Sequence, residues 1–148
     1  MAGFLVKISD AEFQRKLAAL NSGLIDPTPL LRVWGEIALT SIARNFELGG
    51  RPRWDRLSDV TIALKGHDKK LIGRTNNLRR IAYKIQAPKL IVGTAPSARD
   101  YAAIQQFGGK AGRGLKVLIP ARPYLVLQEE DKAEMRLESI HYLRRLAS

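Results

Sequence analysis

The amino-acid sequence predicts an α+β fold: a small antiparallel β-sheet packed against a long helix and a C-terminal helix, with a long basic loop. Three observations predict it. An apolar stripe at helical spacing begins at Thr28-Pro29, namely Leu31, Trp34, Ala38, Ile42 and Phe46. Two alternating segments flank Ala87-Pro88 as a hairpin. A final helical segment opens with Glu129-Glu130-Asp131 and closes with Arg144-Arg145, charges that oppose the helix dipole at each end.

Taken in order, Phe4, Val6 and Ile8 alternate with Leu5 and Lys7 as a short strand. Ser9 lies three residues before Glu12, a capping-box spacing that starts a helix to about Leu20, with Phe13, Leu17 and Leu20 on one face. Asn21-Ser22-Gly23 is expected to end it. The second helix starts at Thr28-Pro29, because proline is tolerated in the first turn, and runs to about Phe46, where Gly49-Gly50 stops it. Residues 47–77 are broken by Gly49, Gly50, Pro52, Gly66 and Gly73 into an extended basic loop with one short helix after Ser58.

Leu78 to Gln86 and Lys89 to Thr94 read as paired strands. Ser97 then caps a helix to about Phe107, with Tyr101, Ile104 and Phe107 packing inward. Gly108 to Gly114 is a flexible glycine-rich loop, Leu115 to Ile119 another strand, and Pro120-Ala121-Arg122-Pro123 a stiff turn. The last helix spans about Glu129 to Leu146, with Leu137, Ile140, Leu143 and Leu146 facing inward. Length favours one domain, 1–148, and no internal repeat is present.

The chain has 148 residues, 45% of them hydrophobic, enough for one core. It has no cysteine, which excludes disulfides and thiolate metal sites. No run of about 18 apolar residues marks a transmembrane helix, and Met1 to Ile8 is too short and wrongly flanked for a signal peptide. A protein made and used in the cytosol, with no membrane partner, is the expectation. Charge is the strongest signal in the composition: 25 Lys and Arg against 14 Asp and Glu, a net of +11. Between Arg51 and Lys89 eleven cations face only Asp55, Asp59 and Asp68, while Glu129 to Glu138 is acid-rich. Such a surplus suits a polyanion such as nucleic acid, or is a solvated basic surface. A basic middle and an acidic helix start can also pair head-to-tail between copies of the chain.

Catalysis requires converging titratable groups, and the sequence offers few. His67 and His141 are the only histidines and make no metal-ligand spacing. The glycine loop at 108–114 lacks the order of a phosphate-binding P-loop. Leu71 to Leu78 could suggest a helix-turn-helix, but a strand follows where a recognition helix would be needed. The expectation is no catalytic, cofactor-binding or metal-binding residues, and no enzyme.

Four blocks, in order, resemble the Mu-like phage virion morphogenesis (tail completion) family. They are Phe46-Glu47-Leu48-Gly49-Gly50-Arg51-Pro52-Arg53-Trp54-Asp55-Arg56-Leu57-Ser58 with Thr61 and Lys65; Leu71, Thr75, Leu78 and Ile81; Val92-Gly93-Thr94 with Tyr101 to Gly109; and Ile119-Pro120-Ala121-Arg122-Pro123-Tyr124-Leu125 before a C-terminal helix. Asn76 stands where the family commonly has glycine, Gln105 where many members have histidine, and Tyr124 where phenylalanine is frequent. The resemblance implies a structural protein of a tailed bacteriophage or phage-derived particle. Its place would be in the virion, at the neck or tail end, where it completes the tail or joins head to tail. It further implies a homo-oligomeric ring, a hexamer or similar, around the DNA passage, with other neck, connector or tail proteins as partners. The reading that competes is a stand-alone, sequence-independent nucleic-acid-binding protein; a small hydrolase or nuclease is a third.

Pro52, Trp54, Leu57, Arg122 and Tyr124 are candidates for a subunit interface, since aromatic and arginine anchors dominate interfaces. The alternatives are that Trp54 pins the loop to its own core and that Arg122 is a surface arginine. Otherwise Arg122, held between two prolines, presents a fork to a carboxylate on the next subunit. Lys65, Lys69, Lys70, Arg74, Arg113 and Lys116 are candidates for a DNA-facing lumen; the alternative is a solvated charged surface.

Overall fold

A computed structural model describes residues 11–148 except Arg74. The strand expected at Phe4 to Ile8 and the Ser9 cap lie outside the described residues. Five helices and two antiparallel hairpins follow one another: α1 (Ala11–Ile25), α2 (Thr28–Glu47), α3 (Asp59–Lys65), β1 (Ile81–Gln86), β2 (Lys89–Thr94), α4 (Arg99–Phe107), β3 (Gly109–Ala111), β4 (Val117–Ile119) and α5 (Glu129–Ala147). The architecture is α+β, but the strands form two separate two-stranded sheets rather than one.

α2 is the spine. Its start is set by Pro29 in the first turn and by the Asp26 carboxylate, which accepts the Thr28 N–H at 3.1 Å. It ends where Gly49 and Gly50 take positive φ and the Gly50 N–H turns back to the Asn45 carbonyl at 2.7 Å. Its inward stripe is largely as expected: Leu31, Ala38, Ile42 and Phe46 are buried. Trp34 is half-buried, and its Nε1 donates to the Met135 carbonyl on α5. Ile42 and Phe46 join Trp54, Leu78, Ala98 and Tyr124 in one core cluster, while Ile37, Ala38 and Met135 form a second between α2 and α5.

β1 and β2 pair from Ile81 opposite Thr94 to Gln86 opposite Lys89. Ile81, Tyr83 and Ile85 make the less exposed face, as the alternation predicts, and the hairpin lies against α2. The approach is close at Gly35, where a Cβ would sit 2.6 Å from the Tyr83 ring.

Several boundaries and faces differ from those the sequence predicts. α1 does not stop at Asn21-Ser22-Gly23. It continues to Ile25, because Gly23 is a packing position: it is buried, and a Cβ there would meet a Leu146 methyl on α5 at 2.1 Å. Residues 77–79 form a 3-10 turn rather than the start of β1, and Leu78 plugs the core. α4 is entered through a 3-10 turn at Pro96–Ala98, so Ala98 and not Ser97 occupies the cap position. Phe107, expected inside, is exposed.

The glycine-rich segment is not an open loop. Gly109 to Ala111 pair with Val117 to Ile119, and the turn between them uses positive φ at Gly112, Gly114 and Leu115. α5 buries Asp131 and Met135, whereas Leu137, Ile140 and Leu143 are 51%, 46% and 38% exposed. The inward face is set by where α1 and α2 lie against the helix. Leucine spacing alone cannot report that. Leu17 on α1, expected inside, is likewise exposed.

Candidate assembly surface

The loop after α2 is held by a polar network that the sequence reading missed. The Arg51 guanidinium donates from Nε to Asn45 Oδ1 at 2.8 Å, from one terminal nitrogen to Glu130 at 2.9 Å, and from the other to the Ser41 carbonyl and hydroxyl at 2.9 and 2.8 Å. Asn45, fully buried, uses its amide nitrogen to donate to the carbonyls of Tyr124 and Val126, both at 2.9 Å. Asp131 accepts from the Ser41 hydroxyl and from the Gln128 N–H, and the Gln128 amide donates to the Arg51 carbonyl. Gln106 Oε1 accepts the N–H groups of Tyr124 and Leu125 at 3.0 Å each. These polar side chains are each satisfied by a segment distant in sequence, so spacing gave no sign of most of them. Gln128 and Asp131, three apart at the start of α5, form a capping box that was not singled out from the sequence.

Within that frame the five interface candidates separate. Trp54 is buried; its Nε1 donates to the Pro123 carbonyl at 2.9 Å and its ring meets Phe46 edge-on at 5.8 Å between centroids. These contacts pin the loop to the chain's own core. Tyr124 is 1% exposed, its ring tilted against Phe46 at 5.4 Å between centroids, and Leu57 is buried. Pro52 is exposed. Arg122 is 6% exposed, so it is not an open surface arginine. Burial holds its guanidinium below the ordinary arginine range, with Asp55 opposing that shift. Its Nε–H is buried with no hydrogen-bond partner among the described residues.

Arg122 belongs to a groove of about 530 Å³ between the α3 region and β4. Leu57, Leu71, Leu78 and Tyr101 line one part of it, and Val117, Leu118 and Ile119 another. Lys65 lies in the same groove, its Nζ donating to the Lys69 carbonyl at 3.2 Å. Its pKa is lowered by desolvation first and by the Arg122 charge second. Two cations thus repel each other inside a largely apolar wall.

The DNA-facing candidates do not form one row. Lys69 and Lys70 share a basin of about 390 Å³ with Arg53 and Arg79, rimmed also by Glu47 and Asp68. The Arg79 guanidinium lies over the Phe46 ring at 5.5 Å. Arg113 and Lys116 are exposed at the turn of the β3–β4 hairpin, and Arg74 lies outside the described residues. Arg53 and Arg79 were not singled out from the sequence; only the folded loop brings them beside Lys69 and Lys70.

Among the described residues no group of His, Asp and Glu could hold a metal ion, and no helix is long and apolar enough to cross a membrane.

Comparison with known proteins gives two findings. The model of the phage virion morphogenesis family matches residues 8–144. The Mu-like prophage FluMu G protein 2 of Haemophilus influenzae is 38% identical over 136 residues, covering 91% of each chain. No solved structure matches.

Proposed function

The chain belongs to the phage virion morphogenesis family, and from that premise we propose that it completes the tail or joins head to tail as a homo-oligomeric ring around the DNA passage. A structural role in building a phage particle is the coarser statement that the family carries. The ring, the station at neck or tail end, the neck, connector or tail proteins it would meet, and the absence of enzymatic activity are our reading.

One observation supports the reading most. Val60, Leu64, Phe107, Leu115, Val117 and Leu118 are large apolar side chains left exposed on α3, at the end of α4 and on the second hairpin, two of them, Val117 and Leu118, in the wall of the cationic groove. Exposed apolar surface rimmed by charge is typical of a face that a partner covers. A ring subunit needs two such faces, one for each neighbour.

The solution mass across a series of protein and salt concentrations tests this. A discrete ring-sized species, or a monomer that becomes one beside a tail tube, is expected. A strict monomer that ignores tail components overturns the ring. The basin of Arg53, Lys69, Lys70 and Arg79 favours a second reading, a stand-alone nucleic-acid-binding protein. Tight low-salt DNA binding by such a persistent monomer would establish it.

A further inference from the structure

We propose that the outer face of α5 from one copy seats in the groove between the α3 region and β4 of the next, Glu134 meeting Lys65 and Arg122 while Leu137 and Ile140 cover the apolar wall. This rests on the oligomeric reading above and names the contact that would make it.

The groove asks for a carboxylate. Arg122 is almost fully buried with an unpartnered Nε–H, and Lys65 adds a second partly desolvated charge. An unsatisfied buried donor costs about 1–3 kcal/mol, more when charged. A carboxylate entering the groove beside both side chains offsets that cost and their mutual repulsion. The groove also asks for apolar atoms, because Leu57, Leu71, Val117 and Leu118 line it. A hydrated phosphate meets the first demand but not the second.

α5 supplies both on one stripe. Glu134, Leu137 and Ile140 are three residues apart and therefore neighbours on a helix surface. All three are exposed. The first turn of the same helix is acidic at Glu129 and Glu130, which pair with Lys132 and Arg51 of their own chain. The two faces share no residue, so the contact is heterologous: each copy offers its groove to one neighbour and its helix to the other. Such a contact closes into a ring when the rotation between copies permits.

The natural absence of cysteine makes the contact directly testable. Leu118→Cys and Ile140→Cys are introduced singly and together in the full chain, and disulfides are allowed to form under mild oxidation while mass is followed by light scattering. Mixed single variants are expected to cross-link only one to the other, and the double variant to give a ladder of multimers. Charge reversal gives a second readout. Lys65→Glu or Glu134→Lys alone is expected to raise the concentration for half-assembly about tenfold or more, and the two together to return it to within about threefold of the parent.

An oligomer that forms without the mixed cross-link overturns this contact and leaves the ring standing, with another segment occupying the groove. A ladder that never closes to a discrete mass keeps the contact and overturns the ring. A strict monomer with no cross-link at any concentration overturns both.

Discussion

The Nε–H of Arg51 donates to Oδ1 of Asn45 at 2.8 Å, a bond that ties the loop after α2 back onto the last turns of that helix. Asn45 reaches the segment before α5 through the carbonyls of Tyr124 and Val126, and Arg51 reaches Glu130 on α5 itself. Removing either side chain leaves buried polar groups without partners. Arg51→Ala and Asn45→Ala are each expected to destabilise the fold by about 2–4 kcal/mol. Because they share one network, the double variant should cost clearly less than the sum. Urea unfolding of the two single variants and the double variant checks this; additive losses would contradict a shared network.

Trp54 combines burial, an edge-on contact with Phe46 and a bond to Pro123. Trp54→Phe keeps most of the ring contact and leaves the Pro123 carbonyl unpaired, a loss of about 1–3 kcal/mol. Trp54→Ala opens a cavity as well and should cost about 3–5 kcal/mol. Denaturant midpoints for the two variants, in that order, are the measurement.

Gly35 faces the Tyr83 ring at a distance no Cβ tolerates. Gly35→Ala gains up to about 1 kcal/mol of helix propensity but pushes the β1–β2 hairpin off α2, at about 1–3 kcal/mol. Net destabilisation is expected in the parent. In a Tyr83→Ala background the obstacle is gone and Gly35→Ala should become neutral or stabilising. Thermal melts of the four chains check the sign change.

Alkaline pH should weaken the fold through Tyr124. Burial raises its pKa above the ordinary 10.0, with a hydrogen bond to Thr94 opposing the shift. The folded state therefore holds the phenolic proton more tightly than the unfolded state. Its contribution is complete below pH 10 and is lost as pH rises from there through the folded pKa. In Tyr124→Phe the fall of stability above pH 10 should be shallower, read from urea midpoints across that range.

The proposed DNA passage, with Lys69 and Lys70 of the basic basin facing it, predicts DNA binding that ignores sequence and collapses with salt. Each cation that touches a phosphate contributes roughly 0.9 to the slope of log K against log salt. Lys69→Glu with Lys70→Glu should lower that slope by about two and weaken all sequences alike, as measured by fluorescence anisotropy. An unchanged slope would place both lysines away from the DNA.

The sequence by itself determined the helices, the hairpin and the location of the charge. Those depend on local periodicity, proline and glycine positions, and counting: the stripe from Leu31 to Phe46, the alternation from Ile81 to Gln86, and the cations between Arg51 and Lys89 are all local patterns. The blocks around Trp54, Gly108-Gly109 and Pro120 to Leu125 also carried the family resemblance that the comparisons bear out.

Only the tertiary structure decided which faces are spare. Leu137 and Ile140 have the spacing of core residues, yet they are exposed because α1 and α2 cover the side of α5 that bears Met135 and Asp131. Trp54 has the composition of an interface anchor, yet the chain buries it against Phe46. Gly23 has the look of a helix stop, yet it is where Leu146 of α5 packs against α1. In each case the residue's role depends on a neighbour many positions away, and periodicity within one segment holds no information about that neighbour.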